Sequence, residues 1–108
     1  MVTGRARYTG DLAVEDLTHA VFVRSPHAHA RVLGIDTSDA TAVDGVVAVL
    51  TDEDLGIDQI YFPGLAEMFT SSAFHRRPLA TDTVRFGGDP VAIVVAESPA
   101  IAVDASEL

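Results

Sequence analysis

The chain has 108 residues, 48% of them hydrophobic and 21% charged, with a formal net charge of −9. This is the balance of one globular domain and argues against a disordered chain, while the negative field argues against nucleic acid as a partner. There is no cysteine, which excludes disulfides, thiolate zinc sites, iron–sulfur ligation and a cysteine nucleophile within these residues.

All seven basic residues are arginines, a compositional bias without evident chemistry. No apolar run approaches the roughly 20 residues that cross a bilayer. The N-terminus MVTGRARYTGDL lacks the apolar core of a signal peptide. A cytoplasmic protein without membrane contact is the expectation.

Two glycine-bearing turns, Thr3-Gly4 and Gly10-Asp11, flank a short candidate strand at Ala6–Thr9. Leu12–Asp16 is an acidic connector. Two strand-like runs follow, Leu17–Arg24 and Ala28–Ile35, around Ser25-Pro26, where proline suits a turn or an edge. Val21, Phe22 and Val23 are adjacent, so the first run is apolar on both faces and is expected to be a central strand paired with the second.

Asp36-Thr37-Ser38-Asp39 supplies helix-capping residues for a short helix over Ser38–Val43, which Asp44-Gly45 should stop. Val46–Leu50 reads as a β-branched strand. Thr51 with Asp52, Glu53 and Asp54 can start one helical turn that Gly56 closes. Ile57–Pro78 holds no period and reads as a long loop anchored by its aromatics.

Thr83–Phe86 and Val91–Val95 read as strands joined by the turn Gly87-Gly88-Asp89-Pro90. Ser98-Pro99 is a helix start, an N-cap before a proline in the first turn. Ile101, Ala105 and Leu108 would share the face that docks on the sheet. About five short strands and three helices without βαβ alternation predict an α+β domain built on a small mixed sheet.

Chemistry-bearing residues are few. His27 and His29 would share a face on a strand, as metal-binding histidines can, but no third ligand is evident and Arg31 would repel a cation there. His75-Arg76-Arg77 is the one basic cluster, suited to an anion or a carboxylate, though such runs are usually solvated loops. Asp52-Glu53-Asp54 resembles half a cation site and is better explained as helix-start chemistry. Tyr8 and Tyr61 lack a neighbouring base, and Ser71-Ser72 lacks a nucleophile elbow.

Five blocks in order, GRARYTGDL, AVFVRSPHAHARVLGIDTSDA, GVVAVLTDEDL, RPLATDTVRFGGDPVAIVVAES and AIAVDASEL, resemble the N-terminal a/b hammerhead domain of the molybdenum-binding large subunit of the xanthine dehydrogenase, aldehyde oxidase and carbon monoxide dehydrogenase family. The resemblance covers nearly the whole chain except Ile57–Arg77. It implies one hammerhead domain over residues 1–108, part of a longer polypeptide and inactive alone. No catalytic, cofactor-binding or metal-ligating residue is expected in it.

The resemblance further implies a molybdenum-pterin cofactor in later domains of the large subunit, with iron–sulfur and FAD groups in partner subunits or domains. The family's pterin pocket and catalytic glutamate lie in that later part, and a cut after Leu108 would remove a strand that family members usually place next, leaving an open sheet edge. Gly87 stands where family members often carry a larger residue. The alternative is a stand-alone interaction module presenting an apolar patch within Ile57–Phe74.

Overall fold

The structure, a computed structural model, describes residues 8–57 and 77–108. The order is a 3-10 turn (Thr9–Asp11), β1 (His19–Arg24), β2 (Ala30–Arg31), α1 (Ser38–Thr41), β3 (Val46–Leu50), α2 (Asp52–Leu55), β4 (Thr83–Val84), β5 (Pro90–Ala96) and α3 (Pro99–Ser106). The expected α+β class is present, and its short strands divide between two antiparallel sheets.

The larger sheet has the order β1-β5-β3, and β2 pairs with β4 in the smaller one. The central strand is therefore β5, not β1. Its sequence PVAIVVA is apolar on both faces, as a strand flanked on both sides should be. Pro90, which has no N–H to give, sits at its first position.

The expected pairing of Leu17–Arg24 with Ala28–Ile35 does not occur. Ser25 turns the chain toward the loop before β5: its N–H donates to Asp89 O at 2.9 Å, and its carbonyl accepts from Gly88 N–H at 2.8 Å. The Arg24 guanidinium donates to Gly88 O at 2.9 Å. These bonds occupy the backbone groups a β1–β2 hairpin would need, and β1 continues along β5 with His19 opposite Ala96 and Phe22 opposite Ile93.

Only Ala30–Arg31 of the second run are strand, and the Thr83–Phe86 run shortens to Thr83–Val84. The glycine turn before β5 does not make a hairpin either, because β4 goes to β2. Of the candidate strand Ala6–Thr9, Thr9 opens the 3-10 turn and the first residues lie outside the described range. The loop aromatics between 58 and 76, with Tyr61 and Ser71-Ser72, also lie outside it.

One face of the larger sheet carries the core: Val94 and Ala105 are buried with Ala40, and Val23, Val43, Val46 and Val49 pack against them. α3 lies across this face because its small residues allow close approach, Ala102 and Ala105 being fully buried. Ser98 Oγ accepts from Ile101 N–H at 3.3 Å, the expected cap. The helix ends at Ser106, so Leu108 lies past it and is exposed, outside the docking face assigned to it.

The opposite face is also apolar. Antiparallel partners share a face, which sets Ala20 and Phe22 beside Val95 and Ile93, with Ala48 and Leu50 beyond. Phe22 is exposed there, with the Arg24 guanidinium 5.5 Å from its ring centre. The doubly apolar character of β1 reflects this second apolar face and not a central position.

Candidate functional site

The described residues concentrate their buried polarity at three side chains, Ser25, Asp52 and Asp89. Ser25 and Asp89 belong to the loop junction beside β1. Ser25 Oγ accepts from His27 N–H at 3.1 Å, and Asp89 Oδ2 accepts from Arg85 N–H at 2.8 Å. Both close turns.

Asp52 is different. It begins α2, is 4% exposed, and its Oδ2 pairs with an Arg77 guanidinium nitrogen at 3.0 Å. Its Oδ1 is buried without a hydrogen-bond partner. One arginine of the expected basic cluster thus meets a carboxylate of its own chain, while His75 and Arg76 fall outside the described residues.

Asp52 lines a groove of about 320 Å³ whose walls are Val32–Ile35 on one side and Ala80-Thr81 on the other, with Thr51 and Glu53 beside Asp52. The helix start is held locally: Thr51 N–H and Thr51 Oγ each donate to Asp54 Oδ2 at 2.7 Å. These two bonds hold the Asp54 carboxyl below the usual carboxylate range. Gly56, in the left-handed region at φ 59°, closes the turn as its sequence predicted.

Two further acids sit next to the groove walls in sequence. Hydrogen bonds from the Ser38 hydroxyl and N–H lower Asp36, and the Thr81 hydroxyl is first among the groups that lower Asp82. The groove is therefore partly apolar, with Asp52 and Glu53 on its lining and Asp36 and Asp82 next to its walls in sequence.

His27 and His29 are exposed in the loop before β2, not on a strand, so the shared-face reason for pairing them falls away. Among the described residues no group of three or more His, Cys, Asp or Glu side chains is placed to hold a metal ion. Tyr8 is 75% exposed, and its N–H donates to Asp11 Oδ2. The described residues do not fit a molybdenum-pterin group: they offer no such donor set, and the carboxylates of the groove would repel an anionic pterin phosphate.

The groove walls Leu33, Gly34, Ile35, Ala80 and Thr81 were not legible as a site, because Ala28–Ile35 reads as one strand. The available signal was Gly34, a glycine inside a strand pattern, which often marks the point where pairing stops.

The α+β architecture, the strand order β1-β5-β3 and the capped final helix define, among the described residues, a small mixed domain of two antiparallel sheets and three helices. Residues 3–108 match the family described as "Aldehyde oxidase and xanthine dehydrogenase, a/b hammerhead domain", and the chain belongs to it.

The chain is 44% identical over 111 residues to the nicotine 6-hydroxylase large subunit of Paenarthrobacter nicotinovorans, covering 100% of this chain and 13% of that protein. It is 42% identical over 106 residues to the carbon monoxide dehydrogenase large chain of Afipia carboxidovorans, covering 97% and 12%. The solved aldehyde oxidoreductase of Desulfovibrio gigas superimposes with a TM-score of 0.84 at 35% identity, over 98% of this chain and 12% of that one. The chain thus spans about one eighth of the length of the relatives it matches.

The relatives are described as large subunits or chains, or as a subunit of a dehydrogenase complex. No helix among the described residues is long and apolar enough to cross a membrane.

Proposed function

We propose that residues 1–108 form one scaffolding domain of the large subunit of a molybdenum hydroxylase, and that this domain does no chemistry alone. One observation carries the reading. Identity is 44% to a nicotine hydroxylase subunit, 40% to a xanthine dehydrogenase subunit and 42% to a carbon monoxide dehydrogenase chain. A domain about equally similar to enzymes named for such different substrates carries the mark of none of them, which supports a structural role over one in substrate choice.

The complete enzyme, in this reading, is a cytoplasmic oxidoreductase. It oxidises a heteroaromatic ring or aldehyde with oxygen from water, or oxidises carbon monoxide. The molybdenum-pterin cofactor supplies that chemistry from later domains, and iron–sulfur and flavin groups in partner subunits or domains carry the electrons away. This chain's own contribution is a rigid α+β body whose second apolar sheet face, with Phe22 at its exposed edge, is suited to packing against those domains.

Expressing the complete large subunit with its partner subunits, and then without residues 1–108, tests this. The complete enzyme should contain molybdenum and oxidise an aldehyde, a purine or an N-heteroaromatic, and the deletion should abolish assembly. Turnover by the 108-residue chain alone would overturn the reading.

A further inference from the structure

The buried core among the described residues is built of alanine, valine and leucine, whereas the two phenylalanines described, Phe22 and Phe86, are 45% and 39% exposed. Large aromatic side chains ordinarily gain most from burial. Both lie beside the junction where Ser25 bonds to Gly88 and Asp89. The Arg24 guanidinium that stands over the Phe22 ring also donates to Gly88 O. The Phe86 carbonyl accepts from Asp89 N–H at 3.1 Å in the same turn.

Arginines gather at the same place. Of the four among the described residues, Arg77 pairs with Asp52, and Arg24, Arg31 and Arg85 are exposed here. Arg31 stands opposite Thr83 in the β2–β4 ladder, and the Arg85 guanidinium donates to Thr83 O at 3.2 Å. None of these three forms an ion pair among the described residues. Asp89 is buried and accepts from the Arg85 N–H. Asp82, lowered first by the Thr81 hydroxyl and less by the Arg85 charge, answers only part of the cluster. These arginines are far apart in sequence, so no basic run announces them.

Exposed rings beside arginines are the composition of a protein–protein contact, in which the ring anchors and the guanidinium meets a carboxylate through two bonds. We propose that Phe22, Phe86, Arg24, Arg31 and Arg85 form the contact by which this domain meets a separate subunit of its complex. The facing surface is apolar at its centre and presents carboxylates to the guanidiniums. That source rests on the large-subunit reading, since the relatives are described as large subunits or chains and as a subunit of a dehydrogenase complex. Charge favours a separate chain over the remainder of this one. Complementary charges speed and select the encounter of two free bodies, and a covalently joined domain needs neither. A nucleic acid or an anionic membrane would reach past the patch onto a domain of net −9 and be repelled. A two-fold pair of this chain would set the guanidiniums against one another.

The complete large subunit and its partner subunits, purified separately and mixed, test this through the rate and affinity of assembly. Arg31→Glu with Arg85→Glu should slow association at least roughly tenfold at low salt, and the difference should shrink as salt rises. The matching pair of glutamine substitutions should fall between. Phe22→Ala should weaken the complex at least roughly tenfold, mainly through faster dissociation. Asp104→Arg, exposed on α3 outside the patch, should change either quantity by less than about twofold. Protected β5 amides in hydrogen exchange check that each variant is folded. Assembly of the double glutamate variant at the wild-type rate in low salt would overturn the proposal. So would binding to equimolar phosphatidylcholine–phosphatidylglycerol vesicles that these substitutions abolish while subunit assembly stays unchanged. Molybdenum content and turnover of the same samples report separately on the large-subunit reading. An active, metal-loaded enzyme whose assembly ignores the patch sinks the contact alone, whereas patch-dependent assembly of subunits that never take up molybdenum sinks that reading alone.

Discussion

Thr51 meets Asp54 twice: its backbone N–H and its hydroxyl donate to the same carboxylate oxygen, each at 2.7 Å. Both bonds favour the ionised carboxylate, so Asp54 titrates lower in the folded chain than in the unfolded one. A lowered carboxylate stabilises the fold above its unfolded value of 3.8 and loses that contribution as pH falls through the folded value. Thr51→Val should raise the Asp54 titration midpoint and flatten the pH dependence of stability below about pH 4, read by carbon-detected NMR of the carboxyl group. An unchanged midpoint would show that the backbone bond alone sets it.

Val94 is wholly buried at the centre of the larger sheet. Val94→Ala removes two methyl groups and leaves a cavity against α3, at a cost of about 2–3 kcal/mol. Leu33→Ala, at a position almost fully exposed in the domain, should change stability by less than about 0.5 kcal/mol when the domain is measured by itself. Urea denaturation of the two variants checks the contrast.

Gly45 sits at φ 87°, and a Cβ there would lie 2.7 Å from Ile101 Cδ1. Gly45→Ala should therefore cost about 1–3 kcal/mol, through backbone strain and crowding together. The double variant Gly45→Ala, Ile101→Val separates the two, because it removes the clashing methyl and leaves the strain. If the second change recovers nothing beyond its own effect on wild type, φ alone carries the cost.

The Arg77–Asp52 pair is asymmetric, with Arg77 41% exposed and Asp52 5% at the side chain. Removing the arginine leaves a buried carboxylate without its counter-charge, whereas Asp52→Asn removes the charge with it. Arg77→Ala should thus destabilise by about 1–3 kcal/mol and Asp52→Asn by less. Thermal melts at low and moderate salt, with equal losses for the two variants, would contradict the order.

Much of the local structure was legible. Val46–Leu50 is the strand its β-branched run specifies, and Ser98-Pro99 starts α3 where cap and proline coincide. Gly56 closes α2 by adopting a conformation few other residues tolerate. Such signals are short-range, and the bonds that satisfy them lie within four residues.

Pairing was not legible, because it is decided far away in the chain. Ser25-Pro26 has the composition of a hairpin turn, yet Ser25 is claimed by Gly88 and Asp89. The run holding Phe22 was expected to be a central strand, yet it lies at the edge of the sheet with Phe22 exposed on the second face. The capping acids Asp52 and Asp54 are one composition with two fates: Asp54 bonds to Thr51 at the surface, while Asp52 turns inward to Arg77, a residue remote in sequence. No local pattern distinguishes them.

The strand order β1-β5-β3 also has a consequence for synthesis. β1 and β3 are both made early, and neither has a sheet partner until β5 leaves the ribosome. Until then the nascent chain carries two apolar strands whose one sheet partner among the described residues has yet to emerge. Closure waits on loops that span much of the domain, so sheet formation is late and slow rather than progressive. A pause in synthesis just before residue 90 would lengthen the interval in which these strands can pair wrongly.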